Sequence, residues 1–327
     1  MANLQTRLWS AMKHKRKVNA FQRFLQLSGM LFCILISGCM ETVTEPDKSM
    51  ASTFVDTPVF ERLVTEIGVV STEDEDFVDT SVSEEKSFTI AISPVDGMAM
   101  VFVPEGEFLM GSLKGEGDRD EEPQLTIFLK AYWIDQYEVT NAMYASCVSI
   151  GVCSPPASLA SYSISYFFGN PDYDDFPVVN VNWYQARKYC QWAGRSLPTE
   201  AQWEKAARGK AGAKYPWGNS DPDEGVANYS ELMKDLSAVG SFPQGASSYG
   251  AMDMAGNAAE WVEDFYGNYP STPYILTNPT GPATGIYRIL RGGSWIIGPY
   301  LIRSSERFWA SAFYADYDSG FRCALLQ

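Results

Sequence analysis

Past an acidic segment in which "FERLVTEIGVV" allows one short helix, helical periodicity in this 327-residue chain is confined to three short segments, the last ending at Gly209. Thr140 can cap the first, "NAMYASCV". Asn182 with Gln185 three residues on forms a capping box for the second, along which Trp183, Ala186, Cys190 and Ala193 fall on one face before Gly194 closes it. Thr199 and Gln202 repeat that signature for "EAQWEKAAR", which stops at Gly209. Beyond that point Gly, Pro, Asn and aromatic residues break the chain into loops and short strands. Ahead of the helices, "MVFVPEGEFLMGS" reads as a hairpin around a Pro-Glu-Gly turn, and "LTIFLKAYWID" as one further strand. There is no internal repeat and no βαβ alternation, so the pattern predicts an α+β domain from Val95 to Gln327 with much irregular structure.

Loops of that kind need staples, and the cysteines supply them. Lys13, Lys15, Arg16, Lys17 and Arg23 form a basic region ahead of an apolar stretch, Phe24 to Ile36, too short to span a bilayer comfortably. It ends in "LISGC", the pattern of a bacterial lipoprotein signal. Residues 1–38 are therefore expected to be removed and Cys39 to carry the lipid. Cys33 leaves with the leader, so Cys147, Cys153, Cys190 and Cys323 remain in an exported chain, with three possible pairings. "CVSIGVC" permits a tight loop between Cys147 and Cys153, which leaves Cys190 to Cys323; a free thiol is the alternative for each.

Removing the leader also removes chemistry. Its six basic residues taken from 25 leave 19 against 40 acidic ones, a net charge of −21, which disfavours nucleic acid as a partner. His14, the one histidine, goes too. That excludes Ser-His and Cys-His nucleophiles and every histidine-ligated metal. Residues 39–94 mix acidic clusters such as "STEDEDFVDTSVSEEKS" with scattered apolar residues and read as an extended acidic tether. The expected location is the bacterial cell envelope, anchored to the membrane through the lipid on Cys39, with the domain facing the periplasm or the exterior.

"DMAGNAAEW" is the most informative polar stretch. Asp253 and Glu260 bracket Gly256 and Asn257, which tolerate positive φ and let carbonyls turn inward beside two carboxylates, a set of oxygens suited to calcium. Alternatively, Glu260 pairs with an arginine near the C-terminus.

Together, "VPEGEFLMGS", "EVTNAMY", "PVVNVNWYQARKYCQWAGRSLPTEAQWEKAARG", "YPWGN", "DMAGNAAEW", "RILRGGSW" and "SGFRCA" resemble, in order, the formylglycine-generating enzymes, or sulfatase-modifying factors. The resemblance covers Val95 to Gln327 and implies a C-type-lectin-like fold. It implies a structural calcium held by Asp253 and Glu260 with the carbonyls of Gly256 and Ala258. A second site would start at Asn228 and Tyr229, with Glu231 and Asp235 competing for its acidic position. It also implies the Cys190–Cys323 disulfide.

The family's enzymes bind copper(I) through two cysteines after the "GGS" turn. Here those positions fall on Ile297 and on Leu301 or Ile302, and neither can ligate a soft metal, so copper is not expected. Ala259 stands where the family tends to place an aromatic residue. What survives is the frame, with Ser294, Trp295, Arg303 and Arg307 as pocket candidates. The two arginines could instead neutralise nearby carboxylates. The reading favoured is an envelope-anchored, non-catalytic binding or scaffold protein with an envelope protein or ligand as its partner. The alternative is a periplasmic oxidoreductase of the same family, forming formylglycine or acting in siderophore maturation. The branch that makes ergothioneine precursors needs iron-binding histidines and is excluded.

Overall fold

The computed structural model describes residues 88–272 and 274–326. The leader, Cys39 and the acidic segment up to residue 87 lie outside the described residues. The described residues form eleven strands and three α-helices, the α+β architecture expected, with the strands in three small sheets. One sheet runs β1 (Ile90–Ile92), β2 (Ala99–Val103), β5 (Tyr132–Asp135) and β11 (Ala324–Leu326) in that order. A second joins β3 (Gly106–Met110), β4 (Leu125–Leu129) and β7 (Leu276–Thr277). The third runs β10 (Ser319–Phe321), β6 (Ala259–Phe265), β8 (Tyr287–Arg291) and β9 (Phe308–Ser311).

Three expectations about the strands need correction. β1 lies ahead of Val95, so the folded domain includes residues that composition assigned to the tether. β2 and β3 do not pair with each other; β2 pairs with β5, and β3 with β4. Nor is "LTIFLKAYWID" one flat strand, because it breaks into β4 and β5 at Lys130 and Ala131.

A single register explains all of this. Val103 faces Tyr132 and Gly106 faces Leu129, so the two stretches form one antiparallel ribbon bent at Pro104–Glu105 and Lys130–Ala131. The Pro-Glu-Gly element is a corner and not a reversal. Lys205 Nζ donates to the carbonyls of Pro104 and Gly106 at 2.7 and 3.0 Å, satisfying groups that the bend removes from the ladder. Both halves of the ribbon bury the same face: Val101, Val103, Phe108, Met110, Ile127 and Ile134 share one core.

The helices start where their caps predict. α1 (Asn141–Ser149) begins at Thr140, whose Oγ1 accepts from Met143 N. α2 (Trp183–Trp192) and α3 (Glu200–Arg208) each open with a complete capping box, at Asn182–Gln185 and Thr199–Gln202. α3 is buried along its whole length and puts Trp203, Ala206 and Ala207 into the ribbon's core. Both disulfides form as expected, Cys147–Cys153 across a six-residue separation and Cys190–Cys323 between α2 and the segment ahead of β11.

Candidate functional site

The loop between β8 and β9 is fixed at its base by Arg291, which is fully buried. Its Nη1 donates to the carbonyls of Ser305 and Glu306, and its Nη2 to Ser304 O and Glu204 Oε2. One guanidinium thus ties the loop's two ends together and to α3. Gly293 holds a φ of +71°, and a methyl group there would lie 2.5 Å from Ile297 Cδ1 and 3.1 Å from Ile302 Cγ2. Ile297 and Ile302 therefore meet at one point, the place where the family resemblance puts a pair of thiolates. Both are buried, in an apolar cluster with Tyr215, Ala227 and Ala255. Aliphatic side chains offer copper(I) no ligand, and the four cysteines of the described residues are all in disulfides. The residues present do not fit copper.

The four pocket candidates have different surroundings. Ser294 Oγ donates to Asp318 Oδ2 at 3.0 Å. Trp295 is buried beside Tyr162 and Tyr317, with ring centroids 5.2 and 6.3 Å away. Arg303 makes two bonds to Glu121, at 2.8 and 2.7 Å, and one to Glu306 at 2.7 Å. Burial alone would raise the Glu121 carboxyl, but the Arg303 guanidinium outweighs it and holds the group at about 2. Arg307 is paired bidentately with Glu200, at 2.7 and 2.9 Å. Both arginines thus neutralise carboxylates, and Arg307 also lines a cavity under the 267–282 loop. Sequence inspection missed an acidic trio beside Arg303, formed by Asp118, Glu121 and Glu306, whose carboxylate oxygens lie within 4.8 Å of one another. Asp118 and Glu121 are three residues apart, but Glu306 joins them from far along the chain, and no sequence pattern marks the trio.

The turn before β6 holds positive φ at Gly256 and Asn257, as their sequence predicted, and at Asp253 as well. A side chain at Gly256 would lie 2.2 Å from the carbonyl oxygen of Asn228, so only glycine lets these two segments meet. Glu260 is engaged otherwise. Arg322 grips it through Nε and Nη2 at 2.7 and 2.8 Å, and Trp203 Nε1 donates to it at 2.8 Å. This is the pairing with a C-terminal arginine given above as the alternative. Asp253 Oδ2 accepts from Gly240 N, and burial pushes its carboxyl up to about 6. Glu138, buried beside Asp253 and Glu260, is also pushed well above the usual carboxylate range by the loss of water and by their charges.

At the second set, Asp235 is the acidic residue brought to Asn228, whose Nδ2 donates to Asp235 O at 2.9 Å; Glu231 is exposed. Asn228 Oδ1 is buried and has no hydrogen-bond partner among the described residues. The Asp235 carboxylate itself is turned away, its Oδ2 accepting from Ser161 and Ser163 and its Oδ1 from Leu236 N, so Asn228 Oδ1 is the oxygen of this set left open to a cation, whereas at Glu260 Arg322 already supplies the positive charge.

The profile of the sulfatase-modifying factor enzyme 1-like domain matches residues 88–326. The chain belongs to the sulfatase-modifying factor family. It is 30% identical over 291 residues to the formylglycine-generating enzyme of Streptomyces coelicolor, covering 72% of this chain and 91% of that one. It is 38% identical over 241 residues to the serine/threonine-protein kinase pkn1 of Chlamydia caviae, and there the match spans 69% of this chain but only 37% of the kinase. The chain thus spans well under half the length of that relative. Among solved structures, PvdO from Pseudomonas aeruginosa superposes with a TM-score of 0.60 at 26% identity, covering 73% of this chain and 98% of PvdO. Sulfatase-modifying factor members of this kind share the C-type-lectin-like fold, which confirms the fold expected from sequence.

Proposed function

We propose that this sulfatase-modifying factor protein is an envelope-anchored, non-catalytic member of its family that binds a partner through the family fold. The observation that carries the proposal is the convergence of Ile297 and Ile302 on Gly293 within one buried apolar cluster, where a pair of thiolates would be needed to hold copper(I). No step of copper chemistry can be routed through these side chains. With all four cysteines of the described residues in disulfides, a substitute thiolate would have to come from breaking one of them.

The test supplies what an active relative would need. Purified protein given copper, oxygen, a thiol reductant and a peptide carrying Cys-x-Pro-x-Arg is expected to leave the peptide mass unchanged. Conversion of the peptide cysteine to an aldehyde above a protein-free control would sink the proposal and favour the oxidoreductase reading.

Anchoring is supported by "LISGC" and the basic and apolar regions before it. Mass spectrometry of protein extracted from membranes is expected to find a lipid-modified Cys39 as the first residue. An unmodified Cys39 in a soluble chain would refute the anchor. Calcium is proposed as a structural ion at Asn228, with the Asp235 segment beside it, where it would tie the 228–237 segment to the turn before β6.

A further inference from the structure

A cavity of about 360 Å³ lies between β3, β4, the first turn of α3 and the loop from Gly267 to Pro282. Met110, Leu125, Ile127 and Leu276 make one wall apolar. Asp264, near the end of β6, supplies a carboxyl group to the lining although its residue is only 4% exposed. Its Oδ2 accepts from Glu200 N at 2.8 Å, while Oδ1 has no hydrogen-bond partner among the described residues. Gly281 approaches so closely that a methyl group there would lie 2.8 Å from Oδ1. The other charges on the lining cancel: Glu200 is bidentate with Arg307, whose Nη1 is taken by the carbonyls of Asp120 and Gly267. Asp264 is left as the lining's one uncompensated acid.

We infer that this cavity binds a small organic cation, an ammonium or guanidinium group carried on an apolar body, with Asp264 as its counter-ion. The size suits a small molecule, and one polar anchor in an apolar wall is the usual way such a site fixes orientation. Charge complementarity selects the sign. A neutral alcohol could hydrogen-bond to Asp264 but would leave its charge uncompensated, whereas a cation removes the cost of ionising a carboxylate in a dry site.

Burial pushes Asp264 up to about 7, with the charges of Glu200 and Glu263 adding to the rise and Arg307 opposing it; Arg288 also lies within its field. Binding a cation therefore expels a proton below neutral pH. Affinity should climb as Asp264 ionises and level off above its midpoint, by roughly tenfold between about pH 6 and about pH 8 for a midpoint near 7. The inference rests on the cavity alone and stands whether or not the chain oxidises cysteine.

Calorimetry of the purified protein with phenethylammonium, and with phenethyl alcohol as the neutral control, tests it at those two pH values. Saturable binding of the amine, tighter at the higher pH, is expected, with the alcohol binding more weakly and without pH dependence. Asp264→Asn keeps an oxygen for Glu200 N and should lose both the amine binding and its pH dependence. If that variant misfolds, carboxyl carbon NMR of the parent replaces it: saturating amine should move the Asp264 midpoint downward. No saturable amine binding, equal binding of the alcohol, undiminished binding by Asp264→Asn, or an unmoved Asp264 midpoint would each overturn the inference.

Discussion

Ile297 and Ile302 show how a site can lose its chemistry and keep its frame. Each buries a side chain worth about 1.5–3 kcal/mol on transfer from water, so the cluster around Gly293 stabilises a loop that Arg291 already ties at its base. Because the two side chains converge on one point, the double variant Ile297→Cys, Ile302→Cys is expected to gain copper(I) affinity, read by competition with a chromogenic chelator. No gain would mean that the two positions do not face one another closely enough to share an ion. Counting from Ser294 along the family resemblance gave Ile297 for the first position and left the second between Leu301 and Ile302; it is the Ile302 side chain that reaches Gly293, where Leu301 brings only its carbonyl. The fate of Arg303 was not. Its partner Glu121 is 182 residues away, and that of Arg307 is 107 residues away, so only the fold could decide between ligand binding and charge neutralisation. Asp264 gave no sequence signal at all, because its significance depends on a cavity assembled from five separate segments.

Among the elements, those governed by local rules were read correctly and those governed by pairing were not. All three helices begin at the caps their sequences carry, because a capping bond spans three residues. The expected hairpin failed because a strand's partner is a non-local choice, and the continuous register from Met100–Asp135 to Met110–Leu125 is set by the shared core instead. The turn before β6 lies between these cases. Its positive φ values follow from Gly256 and Asn257, yet the commitment of Glu260 to Arg322 comes from a strand pairing of β6 with β10. This turn and the 228–237 segment are expected to be stabilised together by calcium, seen as a higher melting temperature in calcium than in chelator. Asn228→Ala should cost about 1–3 kcal/mol through the lost bonds of Nδ2, and should melt at the same temperature with and without calcium. A calcium response equal to that of the parent would remove Asn228 from the site.

At the scale of the molecule, the Cys190–Cys323 disulfide joins α2 to the segment that leads into β11. It closes a loop of 133 residues, and its loss in Cys323→Ser is expected to cost about 2–4 kcal/mol, measured by denaturant unfolding. A Cys147→Ser variant, which opens a loop of only six residues, should lose less if chain entropy governs the effect. Equal losses would point to native-state packing. Asp135 reinforces the longer bridge, since its Oδ2 accepts from Cys323 N and its Oδ1 from Arg195. β11 then pairs with β5, placing a late strand of the domain beside an early one, in the sheet that includes β1. The consequence lies in the order of events during synthesis. Until residues 323–326 leave the ribosome, β5 lacks a neighbour along one edge and Cys190 lacks its sulfur partner. The growing chain is thus kept from completing its first sheet early, and a stop codon even a few residues before Cys323 would discard the closing strand of a domain otherwise fully made.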